Sequence, residues 1–338
     1  MKNAMISGSW IDIVHPNSRD GVYWNRQTIS YSDADWQRLI THLRHDLGCD
    51  TLILTNVAVH DGQFLYPSKL PGARYWPMRG SNDPVKAILS AAETEQMSVF
   101  VGVGVYPGLA ASGHVPSGDR QADSVRWSRE VAEDLLALYG HHKSFRGFYT
   151  SSELFFSSKT GLLDDGQVAW VRAFSDALHA LQPGFPILTS PFHCWQVAKV
   201  QPDAKALARC IVDTGVDIFA PQDGVGFDRP DSPRPVVNSE KGFRRIASAL
   251  RETNVRLWGN VELFRFENDI MFQPLLPAPF ERVRRQIEAI GPHVEKVCCY
   301  QMPGLMTSQK VCPELGALET EQLYQDYQCY IKETHNPK

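Results

Sequence analysis

The chain has no run of 18 consecutive apolar residues, and its opening stretch, MKNAMISGSWIDIV, lacks the apolar core of a secretory signal. Neither a membrane span nor a leader is expected, and a cytoplasmic location follows as the expectation. An excess of positive charge is also missing. With 34 Lys and Arg against 38 Asp and Glu, the net charge is -4. Such a surface supplies no polycationic footprint for phosphate backbones, so nucleic acid is excluded as the main partner. The seven cysteines, Cys49, Cys194, Cys210, Cys298, Cys299, Cys312 and Cys329, contain no C-x-x-C pair. An odd count without that spacing reads as reduced structural thiols rather than a disulfide framework. No G-x-G-x-x-G follows the first strand-like segment, where GSWIDIVHPNS stands instead. The dinucleotide-binding fingerprint is therefore absent.

What is present is alternation. Short apolar runs near 5–11, 51–59, 98–106, 146–154, 185–191, 217–223, 256–262 and 296–302 read as strands. Between them lie stretches of helical period. Ser32 with Asp35 approaches a capping box, and Asp83-Pro84 offers an N-cap followed by proline at the first helical position. In SVRWSREVAEDLLALY, Val125, Val131, Leu135 and Leu138 share one side, leaving Arg129, Glu130, Glu133 and Asp134 largely on the other. Further helices fit 165–181, 202–214, 239–253, 279–290 and 319–333. Eight strand–helix repeats predict a (β/α)8 TIM barrel, and the lack of a Ser/Gly-rich linker or composition break predicts a single domain over 1–338. An open doubly wound sheet is the alternative. The long connections, 11–31, 60–82, 107–118, 192–201, 224–238 and 302–318, all follow strand C-termini, the face on which barrels build active sites.

Two of those strand ends carry a glutamate: Glu153 in FYTSSEL and Glu262 in WGNVELF. Side chains alternate along a strand, so Trp258, Asn260 and Glu262 share a face, as do Tyr149, Ser151 and Glu153. Two carboxyls converging from strands four and seven suit glycoside hydrolysis, in which one protonates the leaving oxygen and the other attacks the anomeric carbon or activates water. A lone strand-end glutamate also serves as an ion-pair or capping partner; the pairing gives the chemical reading its weight. Trp10, Trp24, Tyr66, Trp76, Tyr106, Phe155, Phe156, Trp195, Phe264 and Phe266 lie at strand ends or in the loops behind them. Some would stack on pyranose faces and others would seal the barrel top. Asp12, Asn56, His60, His193, Gln222, Asp223, Asn260 and Gln301 add donors and acceptors suited to hydroxyl groups. In FAPQDGVG, Asp223 either serves the site or only closes an Asp-Gly turn; both readings stand.

Taken together, GSWIDIV, AILSAAETEQMSVFVGVGVY, LYGHHKSFRGFYTSSEL, ILTSPFH, DIFAPQDGVG and LWGNVELF resemble an uncharacterised TIM-barrel family, a glycosidase-like domain of unknown function. The resemblance runs over about residues 5–305. It implies kinship with retaining glycosidases that use a strand-four Glu as acid/base and a strand-seven Glu as nucleophile. On that pattern Glu153 takes the first role and Glu262 the second. The large clan with this layout has Asn before the strand-four Glu, where it contacts the sugar 2-hydroxyl; here Ser152 stands there, so that contact is different or absent.

The expectation is thus a glycoside hydrolase, retaining in mechanism, acting on an oligo- or polysaccharide. Its catalytic residues are Glu153 and Glu262, and its substrate contacts Trp10, Asp12, Asn56, His60, Tyr106, Tyr149, His193, Trp195, Gln222, Asp223, Asn260 and Gln301. No cofactor and no metal follow from this reading. A metal-dependent hydrolase using His60, Asp61, His193 and Asp223 finds no H-x-H or H-E-x-x-H spacing, and His141-His142 precede strand four, on the wrong side of the barrel. The non-enzyme alternative is a barrel that binds carbohydrate without cleaving it.

Overall fold

In the computed structural model, which describes residues 5–59, 62–108 and 115–335, eight parallel strands close into a barrel. They are β1 (Ile6–Ile11), β2 (Thr51–Leu54), β3 (Ser98–Gly102), β4 (Phe145–Tyr149), β5 (Ile187–Thr189), β6 (Ile218–Phe219), β7 (Arg256–Glu262) and β8 (Lys296–Tyr300). Each pairs with its sequence neighbours, and β8 returns to β1 with Val297 opposite Ile6. The expected (β/α)8 barrel is the observed fold, and the open-sheet alternative is excluded by closure.

Alternation along each strand divides the core in two. Trp10, Ile53, Phe100, Tyr149, Leu188, Ile218, Ala220, Trp258 and Cys298 form one buried cluster inside the barrel. Their strand neighbours, such as Leu52, Leu54, Leu257 and Val261, pack outward in the shell formed with the helices. Full burial of each large apolar side chain contributes about 1.5–3 kcal/mol, so a register slip that exchanged the two sets would be expensive. In β7 this parity sends Trp258, Asn260 and Glu262 inward together and ends with Glu262 at the C-terminal mouth.

The helices begin where local chemistry expects. Ser32 and Asp35 form a complete capping box on Asp33–His45. Asp83 accepts the Lys86 N–H ahead of Pro84–Thr94, and Asp164 accepts the Gln167 N–H ahead of Asp165–Leu181. Arg120–Tyr139, Ala204–Val212, Val236–Leu250, Phe280–Ile290 and Glu319–His335 complete the expected series. Several strands are shorter than the apolar runs suggest: beyond Leu54, Gly102 and Phe219 the chain leaves the ladder to build the mouth. The sequence also gave no sign of the helix Cys194–Val200, which starts after His193 at φ 66° and ends at Gln201 at φ 56°. Left-handed residues at both ends that are neither Gly nor Asn leave no capping signature. Phe264–Phe266 and Leu275–Pro277 pair as a hairpin over the mouth. Among the described residues, no helix is long and apolar enough to cross a membrane.

Candidate active site

Glu262 is 1% exposed, at the end of β7. Its Oε2 accepts the Gly226 N–H at 2.7 Å, which leaves Oε1 as the oxygen able to meet a ligand. Gly226 has to be glycine: a Cβ there would come within 2.6 Å of the Phe264 ring and 2.8 Å of Glu262 Oε2. Directly behind lies Asp223, also buried. Its Oδ1 accepts the N–H of Val225 at 3.1 Å and of Glu262 at 3.3 Å, and its Oδ2 accepts Gln286 Nε2 at 2.6 Å. Asp223 is therefore both a turn-former and the support of β7's last residue. It does not itself line the cavity described below.

Arg282 sits one helical turn before Gln286, on the same face of Phe280–Ile290. Its guanidinium donates to the backbone carbonyls of Glu262 at 3.2 Å, Val225 at 3.4 Å and Phe264. Burial pushes the Glu262 carboxyl well above the ordinary range, and the charges of Asp223 and Glu153 push the same way. The Gly226 N–H and the Arg282 charge act against them. Burial likewise lifts Asp223 to about 6, against its hydrogen bonds and Arg282. The two carboxyls thus titrate as a pair beside the fixed charge of Arg282.

Glu153 arrives from the other side. Past β4, Ser151 Oγ donates to the Thr55 carbonyl at 2.9 Å and accepts the Gly104 N–H at 2.8 Å, which pins the segment. Glu153 Oε1 accepts Gln222 Nε2 at 3.1 Å, and the same amide reaches the Ser190 carbonyl at 3.1 Å. Burial raises the Glu153 carboxyl to about 7, with the Gln222 bond opposing. A group so placed is substantially protonated at neutral pH.

Both glutamates line a cavity of about 290 Å³ at the C-terminal mouth. Of the expected contacts, Trp10, Asp12, Asn56, Tyr149, Gln222 and Asn260 line it with them. Gln301 is buried behind Asp12, whose N–H it accepts on Oε1 at 2.8 Å. Three expected contacts lie elsewhere. Tyr106 packs edge-on to Trp127 at 6.0 Å, beneath the Arg120 guanidinium. His193 and Trp195 belong to a separate aromatic knot: the left-handed turn at His193 sets its ring 4.3 Å from Phe192 and 4.6 Å from Trp195. Burial, with the Arg234 charge, lowers the His193 imidazole to about 4. His60 lies outside the described residues, as does Asp61. Trp24, Tyr66 and Phe156 are core residues. Among the described residues, no three His, Cys, Asp or Glu side chains converge to hold a metal ion.

Other wall residues were not singled out from the sequence. Tyr300, the last residue of β8, donates its hydroxyl to Asp12 Oδ2. Counting by twos from Cys298, an inward residue, places it at the mouth, so the signal was available. His15, Asp20 and Phe272 also line the cavity. One wall is aromatic: Phe227 meets Phe264 at 5.7 Å and Phe266 at 5.1 Å, and Phe264 meets Tyr300 at 6.1 Å. A site with two unlike carboxyls, hydroxyl-binding groups and flat apolar walls can hold a polyhydroxylated ring and move protons to and from it.

The profile of a family described as a domain of unknown function, DUF4434, matches residues 6–312. No protein of curated description matches the sequence. Among solved structures, the barrel is similar to that of a candidate α-L-fucosidase from Bacteroides thetaiotaomicron, with TM-score 0.71 at 19% identity over 98% of this chain and 94% of that one. It is also similar to the PgaB (BpsB) glycoside hydrolase domain from Bordetella bronchiseptica, with TM-score 0.53 and 12% identity over 99% of each. The intracellular xylanase TsXylA from Thermoanaerobacterium saccharolyticum gives TM-score 0.51 and 11% identity over 96% of each. At these identities the likeness is one of fold: a glycosidase-like TIM barrel.

Proposed function

The chain belongs to the DUF4434 family, and from that premise we propose that it is a glycoside hydrolase working with retention of anomeric configuration. The observation that carries the reading is the meeting of Glu153 and Glu262, from the ends of β4 and β7, at one aromatic-walled cavity. The glycosidase-like fold of its structural neighbours supports it.

In this mechanism Glu153, held near half-protonation at neutral pH, gives its proton to the departing glycosidic oxygen. Glu262 attacks the anomeric carbon through Oε1, while the Gly226 N–H holds Oε2 in place. For attack Glu262 must be ionised. The Arg282 charge favours that form, and positive charge developing on the sugar ring favours it further in the transition state. Glu153, now ionised, then takes a proton from water, which attacks the same carbon and releases Glu262. The first carboxyl serves as acid and then as base, which suits a group whose two forms are close in energy. With Ser152 in the place before Glu153, the sugar 2-hydroxyl is left to other groups of the wall.

The test is a screen of aryl glycosides and oligosaccharides against the wild type, Glu153→Ala and Glu262→Ala, with proton NMR of the first-formed anomer. The expectation is turnover with a retained product, lost by about 10²–10⁴-fold in Glu153→Ala and more severely in Glu262→Ala. Unchanged turnover in both variants refutes the assignment, and an inverted product refutes retention. Sugar binding without turnover by the wild type would favour the non-catalytic barrel.

A further inference from the structure

Three oxygen atoms of the cavity-lining residues have no hydrogen-bond partner although their side chains are more than nine-tenths buried: Asp12 Oδ1, Asn56 Oδ1 and Asn260 Oδ1. Two of these side chains are held in place by another bond. The Tyr300 hydroxyl takes up Asp12 Oδ2 and leaves Oδ1. Asn260 donates from Nδ2 to Ser190 Oγ at 3.2 Å, which orients the amide and leaves its carbonyl oxygen. Buried acceptors without donors are costly and rare, so three around one cavity point to a ligand that brings the donors.

The charge around them has one sign. Asp12, Asp20, Glu153 and Glu262 bring four carboxyl groups to the wall. Among the described lining residues there is neither lysine nor arginine, and His15, with Nε2 3.9 Å from Asp12 Oδ2, is the one basic ring. Arg282 is turned to backbone carbonyls behind Glu262.

We infer that this cavity selects a glycone offering at least three hydrogen-bond donors to Asp12, Asn56 and Asn260 and carrying no negative charge: a neutral sugar or an amino sugar, not a uronic, sulfated or phosphorylated one. Hydroxyl or ammonium groups complete the orphaned acceptors, whereas a carboxylate on the ring would bring neither a donor nor a compatible charge. The inference rests on the glycosidase reading for the kind of ligand, but its test reads binding and not hydrolysis.

The probes are methyl glucoside, methyl glucosaminide and methyl glucuronide, with the matching galactose set, titrated by NMR into Glu262→Gln protein at neutral pH and low salt. In at least one ring series the neutral sugar binds at least about tenfold more tightly than its uronide, and the amino sugar binds at least as tightly as the neutral one. Asp12→Asn, added to the same protein, keeps an acceptor and removes a charge, so it narrows the uronide gap by about threefold or more. Asn56→Leu removes an acceptor without changing charge, so it weakens neutral and amino sugars alike. The inference is overturned if the uronide binds as well as the neutral sugar, if Asp12→Asn leaves the gap unchanged, or if none of the six binds. A failure of the catalytic reading appears elsewhere, as absent turnover, and leaves this outcome separate.

Discussion

Asp223 accepts the backbone N–H of Glu262 on Oδ1 at 3.3 Å, so the carboxyl that raises its neighbour's proton affinity is also the one that fixes where that neighbour stands. The two effects separate on substitution. Asp223→Asn keeps a side-chain oxygen for the Glu262 and Val225 N–H groups and removes the like charge. With that charge gone Glu262 ionises at lower pH, and the ascending limb of the kcat/KM profile should move toward acid. Turnover should fall by about tenfold from disturbed support, since Gln286 loses a charged acceptor. A pH–rate profile checks this; an ascending limb left in place or moved toward alkali would show that Asp223 does not act on Glu262 through charge.

Glu153 is held at about 7 against an ordinary 4.5, and this has a consequence for stability. A carboxyl whose folded value is raised binds its proton more tightly in the folded state. Its penalty is absent below about pH 4.5, grows as pH rises, and is complete above about pH 7. Glu153→Gln, uncharged and of the same shape, should therefore be more stable than the wild type at pH 8 by on the order of 1–3 kcal/mol, discounted for the partial exposure of the group. The two should be equal near pH 4. Thermal melts across that range decide it: a gain of roughly 2–5 °C at pH 8 that vanishes in acid is expected, and a gain independent of pH is not.

The barrel and its pair of glutamates could be read from the sequence because both follow from short-range regularities. Eight apolar runs of strand length separated by helical stretches determine the closed sheet, and period-two alternation from Trp258 to Glu262 puts a carboxyl at the mouth. What escaped depends on contacts between distant segments. Asp12 and Tyr300 are hydrogen-bonded across 288 positions, joined only because β8 closes on β1. Arg282 and Gln286 lie in a helix that its period alone places, and nothing local marks that both are spent on the carbonyls and carboxyl behind Glu262. His193 and Trp195 stood after a strand, where site residues are common. A left-handed turn diverts them into the knot with Phe192.

Phe272 is 54% exposed at the tip of the hairpin over the mouth, 6.4 Å from Phe266, and it lines the cavity. Such a ring has little to hold the fold together and much to offer a sugar face beyond the cleavage point. Phe272→Ala should raise KM for an oligosaccharide by roughly 3–10-fold, corresponding to about 0.5–1.5 kcal/mol of lost stacking, with kcat within about twofold. Aryl glycosides too short to reach the hairpin should be unaffected. Steady-state kinetics on both substrates make the comparison, and an equal loss on the short one would place the ring at the reacting sugar instead.

Gln222 offers the sharpest check on which glutamate is the acid. Its amide donates to Glu153 Oε1 at 3.1 Å and is oriented by donating also to the Ser190 carbonyl. A donor to a carboxyl favours the ionised form, and this bond opposes the burial that raises Glu153. Removing it in Gln222→Ala therefore lets the Glu153 carboxyl rise further. If Glu153 must be protonated for the leaving oxygen to depart, the descending, alkaline limb of kcat/KM belongs to it and should move to higher pH, while the ascending limb stays with Glu262 and Asp223. Were Glu262 the acid, the same substitution would move the ascending limb instead, because Glu153 would then be the group that has to lose its proton. One variant and one pH profile thus distinguish the two assignments by which limb moves, even if turnover falls through loss of a wall contact.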